Sequence, residues 1–422
     1  MAQALFATLL AFFWFDYLRP GEYFPVFYAL KVGTLVPLVA FALTIGASGG
    51  RPNDEVLAAH SSKWFGLLLL ILFLQFIFAD VRQYVWETFT GVLGYMLVYY
   101  MIVRQVTSLA RVRAVMASLI LVHVVTVFLY PEGVMNPEVR AYLGGAPFFA
   151  DGNDFGWSVA IVVPMALYLA YASPKRTLAI FFYGLAALLV LTVVATQSRG
   201  ASLALLAIAM YIALKTGRKG RAVLVLGALA VLGLMFAPDA YFERMNTITT
   251  YEEDGSAQGR ILAWKTAMRM AFEHPLLGVG AKHFSVAFGA QYKPDGYVGP
   301  YLNAHSIYFV TLGELGFSGL VFLVGLLVGN FRRNERLIEA AKASKDTVNM
   351  ELLVSVQASF LAFLVGGAFL SGVFYPHIFV LSGLMEAVRD LAARGATVQP
   401  ESAPPGAPPP LVRAVTNRPL PR

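Results

Sequence analysis

His305 sits in the polar, aromatic stretch YLNAHSIYFVTLGELGFSGL (301–320), directly ahead of an apolar run. Imidazole is the side chain best matched to taking a proton near neutral pH, so the position suits a general base. The plainer reading is a hydrogen-bonded histidine at a helix start, capped by Asn303 or Ser306. Arg199, in ATQSRGASL (195–203), lies between two apolar runs. The stretch 200–214 reaches only about 22 Å as a helix, short of a ~30 Å hydrocarbon core, which puts Arg199 somewhat below the membrane surface. A cation there needs a partner, and such groups commonly face a cavity or an anionic ligand. Snorkelling to headgroups, or pairing with Asp151 or Asp154, would satisfy the same charge. Arg260 opens GRILAWKTAMRMAFEHP (259–275) and reads equally as a phosphate ligand and as a headgroup anchor.

Three further side chains fit a binding role. Lys31 falls inside an apolar run, roughly 10 Å from its outer end, where it adds a phosphate contact or pairs with Asp16. Asn153, in DGNDFG, lines a cavity mouth or forms an ordinary turn before a helix. Tyr301 contacts a sugar ring or marks the membrane interface. The other histidines, His60, His123, His274, His283 and His377, have no metal-ligand spacing, so no metal site is expected. There is neither a DxD pair nor a GxxxxGK[ST] loop, so metal-bound nucleotide-sugar chemistry and a P-loop are unsupported. With no cysteine, thiol catalysis and disulfides are excluded.

The elements that must carry these residues are membrane helices. The chain is 58% hydrophobic and 14% charged, with a mean hydropathy of +0.65, far from a soluble globular composition. Its apolar runs match the ~20 residues of a membrane-spanning helix rather than alternating barrel strands. The pattern predicts an all-α polytopic membrane protein with about twelve spans: 2–18, 24–46, 62–79, 84–103, 114–130, 155–172, 177–198, 200–214, 222–237, 304–329, 351–371 and 376–393. The first span lacks a basic leader and small-residue cleavage site, so it is expected to be a retained anchor.

Lys and Arg collect in the loops after even-numbered spans, as in Arg104, Arg111 and Arg113 and again in Arg332, Arg333 and Arg336, while the opposite short loops hold Arg19, Arg82, Arg140 and Arg199. Basic loops stay cytoplasmic, which predicts both termini inside and His305 facing outward. The net charge of +7 then reflects topology and anionic lipid, with no need for a nucleic-acid partner.

Four segments result: spans 1–237, a large outer loop 238–303, spans 304–396, and a proline-rich cytoplasmic tail 397–422 expected to be disordered. The outer loop contains an amphipathic helix, with Ile261, Trp264, Met268 and Ala271 on one face and Lys265, Arg269 and Glu273 opposite. Such a helix lies on the membrane surface. The glycines of LLGVGAKHF (276–284) suggest a return toward the bilayer.

The run GSAQGRILAWKTAMRMAFEHPLLGVGAKHFSVAFG followed by LNAHSIYFVTLGELGFSGL resembles the Wzy_C region shared by O-antigen ligases, O-antigen polymerases and bacterial O-oligosaccharyltransferases. The upstream TQSRGA is similar to the arginine-bearing element that precedes that region. The motifs cover about residues 196–320, and the hydropathy profile extends the likeness over nearly the whole chain. One departure is Ser306, where the family often has asparagine after the histidine.

The resemblance implies a GT-C-like membrane fold of about twelve helices with a large periplasmic loop over a lateral cavity. It implies metal-independent, cofactor-free glycosyl transfer from an undecaprenyl-pyrophosphate-linked glycan. For a ligase the acceptor is a sugar hydroxyl of lipid A core, in lipopolysaccharide biosynthesis at the bacterial inner membrane. The positions matching the family's functional residues are Arg199, Arg260 and His305. A polymerase would use a second lipid-linked glycan, and an O-oligosaccharyltransferase a protein hydroxyl. A lipid-linked glycan transporter would break no bond, but no inverted repeat is apparent and the distinctive polar groups gather at the outer edge, which favours an enzyme.

Overall fold

The structure, a computed structural model, describes residues 2–19, 24–30, 32–46, 50–78, 82–129, 151–216, 227, 242 and 255–394. These form helices α1 (Ala2–Leu18), α2 (Pro25–Ala29), α3 (Val32–Gly46), α4 (Asn53–Ala58), α5 (His60–Phe78), α6 (Arg82–Gln105), α7 (Leu109–Leu129) and α8 (Gly152–Tyr171). They continue with α9 (Arg176–Ala195), α10 (Arg199–Lys215), α11 (Gly255–Glu273), α12 (Phe284–Ala287), a π-helical turn (Phe288–Tyr292), α13 (Ile307–Ala343), α14 (Thr347–Gly367) and α15 (Pro376–Ala393). No strand occurs among the described residues.

Six helices among the described residues, α5, α7, α8, α9, α13 and α14, are long and apolar enough to cross a membrane. Other expected spans depart from that standard for identifiable reasons. The stretch 24–46 divides into α2 and α3. Helices α1, α3 and α10 have 17, 15 and 17 residues, short of the ~20 a perpendicular span needs. Helix α15 carries Glu386, Arg389 and Asp390 yet is buried along most of its length. All of the expected span 222–237 except residue 227, the tail 397–422 and most of 238–254 lie outside the described residues.

Helix α8 packs against α7, α9, α10 and α14 and is buried along nearly its whole length. Asp151 caps it by accepting the Asn153 N–H at 2.6 Å, which satisfies one of the helix's free donors. Gly156 permits a close approach to the end of α9, because a Cβ there would lie 2.4 Å from the Thr196 hydroxyl oxygen.

The charges of α15 are neutralised inside the bundle. Glu386 accepts from Arg389 at 2.8 Å and from the Ser61 hydroxyl at 2.8 Å. Arg389 also donates to Asn330 Oδ1 at 2.9 Å, so one buried network joins α5, α13 and α15. Paired this way, the ions are tolerable in an apolar interior.

Helix α13 extends well past the expected 304–329. Its polar continuation RRNERLIEAAKA contains no breaker, and Lys215 at the end of α10 donates to Glu335 and to Glu339, the latter at 3.1 Å. Near its start α13 kinks at Gly316, whose φ is 67° and ψ −162°. Pro275 O takes the Phe317 N–H there at 2.8 Å. The segment after α11 crosses this kink closely: a Cβ on Gly278 would lie 2.4 Å from the Glu314 carbonyl carbon, and the N–H groups of Val279 and Gly280 donate to Gly313 O and Glu314 O, each at 3.0 Å.

Candidate active site

His305 lies in the irregular stretch 301–306 that leads into α13, with φ 43°. A non-glycine residue in that left-handed region is strained and persists only when its surroundings hold it. The restraint comes from α11. Trp264 donates its indole N–H to Ala304 O at 2.8 Å, and its ring stacks on Phe309 with centroids 4.9 Å apart and planes at 11°.

The capping role considered for Asn303 and Ser306 does not hold. Ser306 occupies the N-cap position of α13, but its hydroxyl makes no capping hydrogen bond. Asn303 Oδ1 instead accepts from the Ser371 hydroxyl at 2.8 Å. That bond ties the His305 stretch to the link between α14 and α15.

Arg199 is the first residue of α10. Gln197, with φ 52°, turns the chain so that Ser198 becomes the N-cap and accepts the Ala201 N–H at 3.3 Å. Gly200 lets the link between α14 and α15 approach, since a Cβ there would be 3.2 Å from Phe369 Cβ. Arg260 comes from the first turns of α11. The fold brings Arg199, Arg260 and Asn153 to one narrow cleft, closed by Ser198, Gly200, Phe369 and Leu370.

His305 is coupled to this cleft by charge. Its pKa is lowered first by desolvation and then by the Arg260 guanidinium, with Asp151 acting in the opposite sense. The residue nevertheless keeps an open face to solvent. A partly enclosed imidazole held neutral at pH 7 can accept a proton, and two guanidinium groups in one cleft can hold a pyrophosphate through planar, charge-assisted hydrogen bonds. Asp154, one of the carboxylates considered for Arg199, accepts the Tyr375 hydroxyl at 3.0 Å.

Other expected positions lie elsewhere. Tyr301 is 63% exposed and its ring covers Gly289, where a Cβ would fall 2.3 Å from Tyr301 Cζ. It does not line the cleft. Lys31 lies outside the described residues. The buried stripe of α11 is Ala263, Thr266, Ala267, Met270 and Ala271, packed on α13, whereas Met268 is 41% exposed. The apolar face expected from Ile261 and Met268 is therefore rotated toward the alanines, because small side chains let α11 approach Gly313.

Glu314 is a positioning residue that spacing alone did not single out. Its carboxylate accepts the N–H groups of Lys282 at 2.8 Å and Phe284 at 3.2 Å. Gln75 of α5 donates to Glu314 O at 2.7 Å and accepts the Ala281 N–H at 3.2 Å. The available signal was a carboxylate inside an apolar run facing a glycine-rich segment, a pairing that satisfies free backbone donors.

Residues 184–324 match the family model Wzy_C, described as O-antigen ligase. The match supports assignment to the O-antigen ligase superfamily, and it contains Arg199, Arg260 and His305. Members are glycosyltransferase-like enzymes, and the six apolar helices of membrane-spanning length among the described residues are consistent with a multi-pass membrane protein. No curated protein matches the chain.

Proposed function

We propose that this chain transfers a glycan from undecaprenyl pyrophosphate to a sugar hydroxyl of lipid A core, on the periplasmic side of the bacterial inner membrane, with both termini in the cytoplasm. The observation that carries the reading is the meeting of Arg199, Arg260 and Asn153 in one cleft, with His305 under the electrostatic influence of Arg260.

In this mechanism the acceptor oxygen attacks the anomeric carbon while the bond from that carbon to the pyrophosphate oxygen breaks. The electron pair leaves with the pyrophosphate, whose growing charge Arg199 and Arg260 stabilise. The acceptor proton passes to the His305 imidazole. A single displacement inverts the anomeric centre. The donor already carries an activated leaving group, so no ATP is needed. The guanidinium pair supplies the charge stabilisation that a divalent ion gives in other phosphate chemistry.

The test is reconstitution with lipid-linked glycan and, separately, lipid A core, a second lipid-linked glycan, and a pilin-like protein. Product on lipid A core with chelator present supports the reading. Product on either other acceptor reassigns the chain to polymerase or protein glycosylation, and strict metal dependence defeats the arginine mechanism.

A further inference from the structure

The narrow cleft holds the two arginines and is too small to take a glycan as well. A second cavity, of about 550 Å³, shares with it the link between α14 and α15. This falls within the roughly 300–1,000 Å³ of ligand pockets. Its walls come from α6, the end of α1, the start of α12 and the segment before it, α13, and the links that carry Asn303 and Ser371.

Two features relate this cavity to the reacting groups. Asn303 lines it two residues before His305, and the Asn303–Ser371 hydrogen bond at 2.8 Å closes one wall. Leu370, next to Ser371 in the chain, belongs to the arginine cleft. The link 368–375 therefore contributes to both the cationic cleft and the larger cavity, and His305 lies on the link 301–306 that it is bonded to. A base that takes the acceptor's proton must reach the acceptor hydroxyl, and in the reaction proposed above the arginines engage the donor's pyrophosphate, which leaves the cavity lined by Asn303 for the acceptor.

The lining is that of a sugar site. Tyr84, Tyr95, Phe374 and Tyr375 supply aromatic rings, Thr88 and Ser371 hydroxyls, Arg19 and Lys282 cationic donors, and Glu87 and Glu314 carboxylate acceptors. Aromatic faces with convergent donors and acceptors suit a hydroxyl-rich ring. We propose that this cavity binds the terminal sugars of the acceptor glycan and determines which acceptor is used. This rests on the transfer reaction proposed above.

Gly91 gives a clean probe. It lines the cavity on α6, and a Cβ built there meets no protein atom within 4 Å. Leucine is a better helix former than glycine, so Gly91→Leu occupies cavity space without disturbing α6. Gly94, on the same helix, has equally open surroundings and does not line the cavity, which makes Gly94→Leu the control.

The experiment uses the full chain in lipid nanodiscs with undecaprenyl-pyrophosphate-linked glycan and lipid A core, each titrated separately. Donor hydrolysis by water is followed without acceptor. Gly91→Leu is expected to raise the acceptor KM at least tenfold, with the donor KM and hydrolysis rate unchanged, and Gly94→Leu to leave all three as they were. Lys282→Asn, which tolerates the positive φ of 57°, should raise the acceptor KM in the same selective way. An unchanged acceptor KM in Gly91→Leu overturns the proposal. A rise in donor KM instead assigns the cavity to the donor's glycan and overturns it equally. No product from the unsubstituted chain with any acceptor sinks the transfer reaction itself, a result distinct from either.

Discussion

The indole N–H of Trp264 reaches Ala304 O at 2.8 Å, so the residue next to His305 is fixed by a helix whose own first turns carry Arg260. One element thereby positions both the imidazole and a guanidinium. Trp264→Phe keeps the ring stacked near Phe309 but removes the donor. Small displacements of reacting groups cost up to about a hundredfold in rate, so transfer should fall roughly ten- to a hundredfold. Membrane yield should stay normal, and undiminished turnover would show that Trp264 only packs.

The charge relationship between Arg260 and His305 gives a pH signature. Desolvation and Arg260 hold the His305 pKa below its ordinary value of 6.5, so the base is neutral at pH 7 and activity falls only on the acid side. Arg260→Gln removes the cationic contribution and raises that pKa. The acid limb of the kcat profile should therefore move to higher pH, on top of a lower maximum. The same sign governs folding: with a depressed folded-state pKa, this histidine costs stability as pH drops below its unfolded value. An acid limb that stays put in the variant argues against the coupling.

Arg199→Lys preserves charge and loses the planar fork. Losing one preorganised donor to a developing anion costs about 10²–10³ in kcat, and the donor KM should rise as well. Arg199→Ala should be more severe. Equal kinetics for lysine and arginine would mean that Arg199 serves only as a point charge.

Much of this site was readable from residue types, and the reason is physical. Arg199 and His305 stand out because a charged or polar group beside an apolar run is costly and calls for an explanation. What was not readable depends on contacts between distant segments. The alanine stripe of α11 faces Gly313, and nothing in GRILAWKTAMRMAFEHP reveals that neighbour. Ser306 follows the expected cap pattern, but the bond that matters runs from Ser371 to Asn303. The last third of α13 escaped because RRNERLIEAAKA is too polar for a span, although it continues the same helix and receives Lys215.

Glu314 organises the segment after α11 through two backbone N–H groups. Glu314→Ala leaves both donors unsatisfied, at about 1–3 kcal/mol each. A drop in thermal stability and exposure of residues 275–284 to proteolysis should follow. Glu314→Gln retains one acceptor oxygen and should fall between the two. A fully stable alanine variant would show that the segment holds itself.

Gly316→Ala tests the kink. Its φ of 67° disfavours any Cβ, and the added atom would meet Pro275 O at 2.6 Å. At ψ −162° this positive-φ conformation is essentially confined to glycine and costs about 1–3 kcal/mol for another residue, and the clash adds to it. Accumulation in the membrane should decline sharply, and a normal yield with normal activity would mean that α13 can straighten without loss.

Helix α10 starts at Arg199 and finishes at Lys215, which is held by Glu335 and Glu339 of α13, and α13 itself begins just behind His305. The cation and the imidazole therefore stand by the starts of two helices whose far portions are joined by an ion pair. Loosening that latch, for example with Lys215→Gln, frees the far end of α10 from α13, a whole helix length from Arg199.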